Sequence, residues 1–214
     1  MRSPFLQPLV KDQLSLYIFV SVLFAVGVVF GALLVGALTL EQQQDLTGDV
    51  EHFVRLLSAG MGPDETQSFV ERGWFHTKWL LLIWLLGLTV VGMPLILALD
   101  FLKGVLIGFS VGLLVSQHAW EGVLFSLASV APPNLIILPA ILIASVSAIS
   151  FSIHIVKHRL MQRSGTLLQP FLSHTSVAVV MLAVLWGAAL FEAFVSPILM
   201  GWASSFIIGS GTGF

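Results

Sequence analysis

Few residues in this chain are equipped for chemistry, and those few stand out against an apolar background. Glu192 lies in Phe191-Glu-Ala-Phe-Val-Ser-Pro197 with apolar residues on both sides. A carboxyl group there is costly in hydrocarbon, so it marks either a hydrogen-bonded strut or a working site for a proton or a partner. His118 and Glu121 form a second polar pair within one helical turn, and Asn134 opens a later apolar run. These four are the candidate partner or polar intramembrane residues. Gly108-Phe-Ser-Val-Gly112 matches the G-x-S-x-G string of serine hydrolases, but that serine needs a sharp strand-to-helix turn and a histidine within reach. Ser110 falls mid-helix instead, which favours packing. His154 and His158 are one turn apart beside Lys157 and Arg159, a basic juxtamembrane cluster with too few ligands for a metal. There is no cysteine and no phosphate-binding loop, dinucleotide fingerprint or HExxH sequence. No cofactor, metal or catalytic residue is expected, and the protein reads as a non-enzyme.

A different chemistry, that of close packing, is written in glycine. Gly104, Gly108 and Gly112 make two consecutive G-x-x-x-G steps, and Gly27 and Gly31 repeat the spacing earlier in the chain. Such steps let two helix backbones approach closely in a membrane. Packing within the chain is favoured over a dimer face, although an oligomer stays open.

The elements that carry these residues follow from composition. Of 214 residues, 57% are hydrophobic and 9% are charged, against about 25% charged in a soluble domain, and the mean hydropathy is +1.00. A water-facing surface cannot be built from that; runs of about 20 apolar residues that cross a bilayer as helices can. The expected fold is all-α and integral to the membrane, a single polytopic domain over 1–214. Its five spans are placed at about 16–40, 78–99, 103–121, 134–156 and 174–200, with Pro94 kinking the second. The first run is too long for a cleaved leader and reads as a retained anchor. A net charge of −2 offers no basic surface for nucleic acid.

Lysine and arginine accumulate in short cytoplasmic loops. An N-in, C-out arrangement puts Arg2, Lys11, Lys103, Lys157, Arg159 and Arg163 inside and leaves Arg55, Arg72 and Lys78 outside. A broken third helix would instead make a re-entrant hairpin. The remaining outer loop, 41–77, is acidic and too short for an independent enzyme domain. Leu46, Val50, Phe53, Val54 and Leu57 recur at helical spacing, and Glu51 can pair with Arg55, so its first half is expected to be an amphipathic helix. Gly60, Gly62 and Pro63 should end it.

The chain resembles the stage II sporulation protein M family over nearly its full length. The resemblance rests on the N-terminal span entering a polar outer loop, on Ala131-Pro-Pro-Asn-Leu-Ile-Ile-Leu-Pro-Ala140 opening the fourth span, on Ala148-Ile-Ser-Phe-Ser152 near its end, and on Phe191-Glu-Ala-Phe-Val-Ser-Pro197 in the fifth. Where the broader family often carries a histidine and an acidic residue, this chain has Pro133, Asn134 and Ile137, a departure that speaks against catalysis or proton handling there. The resemblance implies a multi-pass subunit of the engulfment machinery in the bacterial cell membrane, on the mother-cell side of the sporulation septum. It also implies that the subunit acts as a scaffold for peptidoglycan hydrolases, the stage II sporulation proteins D and P. The alternative from another class is a small transporter or permease, suggested by the broken third helix, Pro94 and Glu192.

Overall fold

The computed structural model describes residues 14–58, 64–160 and 167–202. Among them every regular element is helical: α1 (Leu14–Leu34, extended by a 3-10 turn at Val35–Ala37), α2 (Leu40–Ser58), α3 (Glu65–Gly87), α4 (Gly92–Ser129), α5 (Ala131–Leu160) and α6 (Leu168–Phe194). Past one irregular residue at Val195, helical turns continue to Trp202. Four stretches are long and apolar enough to cross a membrane: Leu14–Ala37, Gly92–Ser116, Ala131–Lys157 and Leu168–Trp202. The fifth long helix, α3, carries Glu65, Glu71, Arg72 and Lys78 in its first half and is apolar only beyond them.

Local chemistry sets the helix ends. Thr39 and Gln42 make a reciprocal capping box, each side chain accepting from the other's backbone N–H at 3.3 and 3.1 Å, which starts α2. Gln43 Nε2 donates to the carbonyls of Val35 and Leu38, tying α2 to the end of α1. Asp64 caps α3 by accepting from the Thr66 N–H at 3.1 Å, and Glu65 complements the positive end of the helix dipole.

The second and third expected spans are corrected here. The chain turns at Leu88–Val91, not at Asp100, so no helix runs from 78 to 99 and none starts at Lys103. Gly87, Thr89 and Gly92 supply the turn, and the Thr89 hydroxyl donates to the Leu86 carbonyl. Pro94 stands in the first turn of α4, where its missing N–H is not needed. It opens a helix instead of kinking one. Asp100 and Lys103 consequently lie inside α4. The outer loop is shortened likewise, because residues 65–77 already belong to α3.

Direction alternates through the bundle. Asp100 meets Ser145 and Thr89 meets Ser152, which makes α5 antiparallel to α4. Thr175 meets Trp84 and Trp186 meets Thr77, which makes α6 antiparallel to α3. Helix α1 runs parallel to α4: Gly27 faces the Phe101 backbone, Gly31 that of Val105, Gly108 that of Val28 and Gly112 that of Ala32. Over half of the apolar window of α5, 56%, is buried, against 22% for the other three, so α5 is the central helix. Ile83, Ile96 and Leu185 from the neighbouring helices share a buried cluster with its Ile149.

The far end of α4 folds back. Leu114 and Phe125 share a buried cluster with Met200 packed against it, although eleven residues of straight helix would separate them by about 16 Å. Gly122 makes this possible by seating its α-carbon against the Leu114 carbonyl. The expected break in the third span is thus a reversal that returns the chain to the head of α5.

Candidate functional site

The reversed order of α3 and α6 sets Glu192 opposite two residues of α3. Arg72 and His76 stand one turn apart on the same face. His76 Nε2 is 2.8 Å from Glu192 Oε2, and the Arg72 guanidinium is 3.5 Å from Oε1. The side chains of His76 and Glu192 are only 6% and 12% exposed. Three charged or chargeable groups therefore close one end of the bundle, as a paired cluster and not as isolated ions.

Helix α4 adds Lys103. Its ammonium lies over the rings of Trp79 at 5.2 Å and Phe75 at 5.9 Å, within cation–π range. Arg72, His76, Lys103, Ser110, Asn134 and Glu192 line a common cavity of about 570 Å³. Ser110 donates to the Leu106 carbonyl at 2.9 Å and Asn134 to the Val130 carbonyl at 2.7 Å. One turn below Lys103, Asp100 is 1% exposed. Ser145 donates to its Oδ1 at 2.8 Å, while Oδ2 is buried without a hydrogen-bond partner among the described residues.

A smaller polar pocket of about 110 Å³ lies toward the opposite end of the bundle, lined by Ser147, His154, Ser173 and His174 among others. His174 stacks on Phe151 with ring centroids 5.3 Å apart. Its Nδ1 shares a hydrogen bond of 3.2 Å with the Ser147 hydroxyl, and Nε2 is 3.5 Å from the Trp84 carbonyl. A histidine held at both nitrogens ties α3, α5 and α6 together. Among the described residues no group of three or more His, Asp or Glu is placed to hold a metal ion.

Of the residues singled out in the sequence, Glu192 and Asn134 reach the larger cavity and the five glycines line the α1–α4 contact. Ser110 also reaches the cavity, but its hydroxyl is bonded within its own helix and no histidine is bonded to it among the described residues. The side chains of His118, Glu121 and His158 lie outside the described residues, as do those of Val50, Glu51, Phe53, Val54 and Leu57 in α2 and the stretch holding Gly60, Gly62 and Pro63. Sequence reasoning missed Arg72, His76, Asp100, Lys103 and Ser145, having assigned the first two to the outer loop and placed Asp100 and Lys103 at a turn. A signal was available. Nothing between Leu95 and Lys103 breaks a helix, whereas Gly87, Gly92 and Pro94 do.

A bundle of long apolar helices closed around buried polar clusters defines a helical membrane protein. The chain belongs to the stage II sporulation protein M family, whose profile matches residues 20–197, so it is a membrane protein of sporulation. No curated protein and no solved structure matches it.

Proposed function

We propose that this protein is a non-enzymatic scaffold of the engulfment machinery that holds peptidoglycan hydrolases, the stage II sporulation proteins D and P, at the mother-cell side of the septal membrane. In this reading the chain crosses the membrane five times, with α3 as the additional crossing, N-terminus inside and C-terminus outside. Lys103 no longer counts toward the charge bias, but in the sequence Arg2 and Lys11 still precede α1, and Lys157, Arg159 and Arg163 still fall at or just past the last turn of α5. The observation that carries the reading is α2. It follows α1 at the other end of the bundle and exposes Glu41, Asp45, Asp49 and His52, an acidic surface and the natural place for an extracytoplasmic partner to dock.

The test is a pull-down of tagged protein from sporulating cells, comparing wild type with a variant whose residues 41–58 are replaced by a neutral linker. Residues 65–77 must be kept, since they build α3. Hydrolases recovered with wild type and lost with the variant are the expected outcome. Equal recovery from both removes the role of α2, and recovery from neither removes the scaffold reading.

The charged cavity favours one second reading, a small transporter. On that reading, proteoliposomes of the wild type take up protons down an imposed gradient and those of Glu192→Gln do not. Equal flux in the two leaves only the scaffold.

A further inference from the structure

Lys103 sits about 16 Å along α4 from Gly92, near the middle of the roughly 30 Å that a hydrocarbon core spans. An ammonium at such a depth is costly unless an anion or water answers it. Two carboxylates, Asp100 and Glu192, lie near it, and a third, Glu71, lines the same cavity. Asp100, one turn earlier on its own helix, accepts from Ser145. Glu192, from α6, is paired with His76 and Arg72. Glu71, at the cavity mouth on α3, accepts from Gln67 at 2.8 Å. Lys103 makes no ion pair with any of them among the described residues; its ammonium lies over the faces of Trp79 and Phe75.

The cavity before it also holds a ring nitrogen without a partner among the described residues. His76 is 4% exposed, lines the same space, and has a buried Nδ1 with no hydrogen-bond partner among the described residues. Arg72, on the same wall, has more donors than its contact with Glu192 uses. The volume of about 570 Å³ falls among ordinary small-molecule pockets, roughly 300–1,000 Å³. The wall is amphipathic: Phe75 and Leu106 line the cavity and are 54% and 52% exposed on the outside of the bundle. A ligand that fits has a compact anionic head for Lys103 and Arg72 and an apolar tail able to leave past Phe75 and Leu106.

We propose that the cavity between α3, α4 and α5 binds the anionic phosphate headgroup of a membrane lipid. Lys103 and Arg72 hold the phosphate, the Glu192–His76 pair fixes Arg72 in place, and the acyl chains pass between Phe75 and Leu106 into the bilayer. The site is independent of hydrolase recruitment, since α2 takes no part in it.

The experiment is native mass spectrometry of the full-length detergent-solubilised protein titrated with dioleoyl phosphatidylglycerol, dioleoyl phosphatidylcholine or inorganic phosphate. Wild type should retain one phosphatidylglycerol in preference to phosphatidylcholine. Lys103→Gln should weaken that retention roughly tenfold or more, the loss of one charge-assisted contact, and Lys103→Arg should restore it. Leu106→Trp, a change at a lipid-facing position that preserves the charges, should weaken retention of the lipid but not of inorganic phosphate, and this holds the test open if Lys103→Gln does not fold. Equal retention of the two lipids, unchanged retention in Lys103→Gln or in Leu106→Trp, or inorganic phosphate binding as tightly as the lipid would each overturn the proposal.

Discussion

At Gly31 and Gly108 the helices α1 and α4 touch backbone to backbone, and a methyl group at either position would meet the carbonyl of Val105 or Val28. No flexible side chain is there to yield, so one helix must shift. Gly108→Ala is expected to cost about 1–3 kcal/mol, the usual penalty for overpacking, and to lower the thermal midpoint in detergent. Gly187 is the control. Nothing lies within 4 Å of the position a methyl group would take there, so Gly187→Ala should be neutral or gain about 0.5–1 kcal/mol from helix propensity. Equal losses at both positions would show that the α1–α4 contact is not the close one described. The spacing of these glycines was legible in the sequence; their partners were not, because a G-x-x-x-G step says that a backbone comes close without saying whose.

At the scale of elements, the position of one turn decides what the chain can do. A turn at Asp100 would leave Asp100 and Lys103 in water, as ordinary loop charges. With the turn at Leu88–Val91, the same two residues enter the bundle and must be answered by Ser145, by aromatic faces and by a cavity. The chain has no cysteine, so single cysteines report the turn directly. Val90→Cys, 46% exposed before the start of α4, should react with a polar maleimide in membranes. Leu102→Cys, equally exposed in the fold but on the flank of α4, should stay unreactive because lipid covers it. The reverse pattern would restore the turn to Asp100. Helix α3 carries a related lesson. Its first half looked like loop because it is polar, yet polarity is tolerated there: Arg72 and His76 pair with Glu192, and Thr77 accepts from Trp186 while donating to Gly73.

For the whole molecule, alternation of helix direction puts Gly48 of α2 and Leu167, at the head of α6, at opposite ends of the bundle. With the orientation proposed above, Gly48→Cys should be labelled by a membrane-impermeant maleimide on intact cells, and Leu167→Cys only after permeabilisation. Labelling of both on intact cells would break the five-crossing topology, and an exchange of the two results would invert it. The scaffold reading depends on this outcome, because α2 must face the wall side to meet a hydrolase there.

The sequence by itself determined the solvent, since 9% charge leaves no surface for water, and it determined the secondary structure, since an apolar chain in lipid must satisfy its own backbone. It also carried the family, through short strings that fall in α5 and at the end of α6, and marked Glu192 as out of place in an apolar run. Only the tertiary structure decided what Glu192 pairs with. Its partner His76 lies 116 positions away, and the cavity they share is assembled from helices whose order in space no local pattern records. Hydrophobic periodicity fixes which face of a helix is buried. Which buried polar group answers which is settled by packing, because a charge inside a bundle is stable only beside the residue that the fold brings to it.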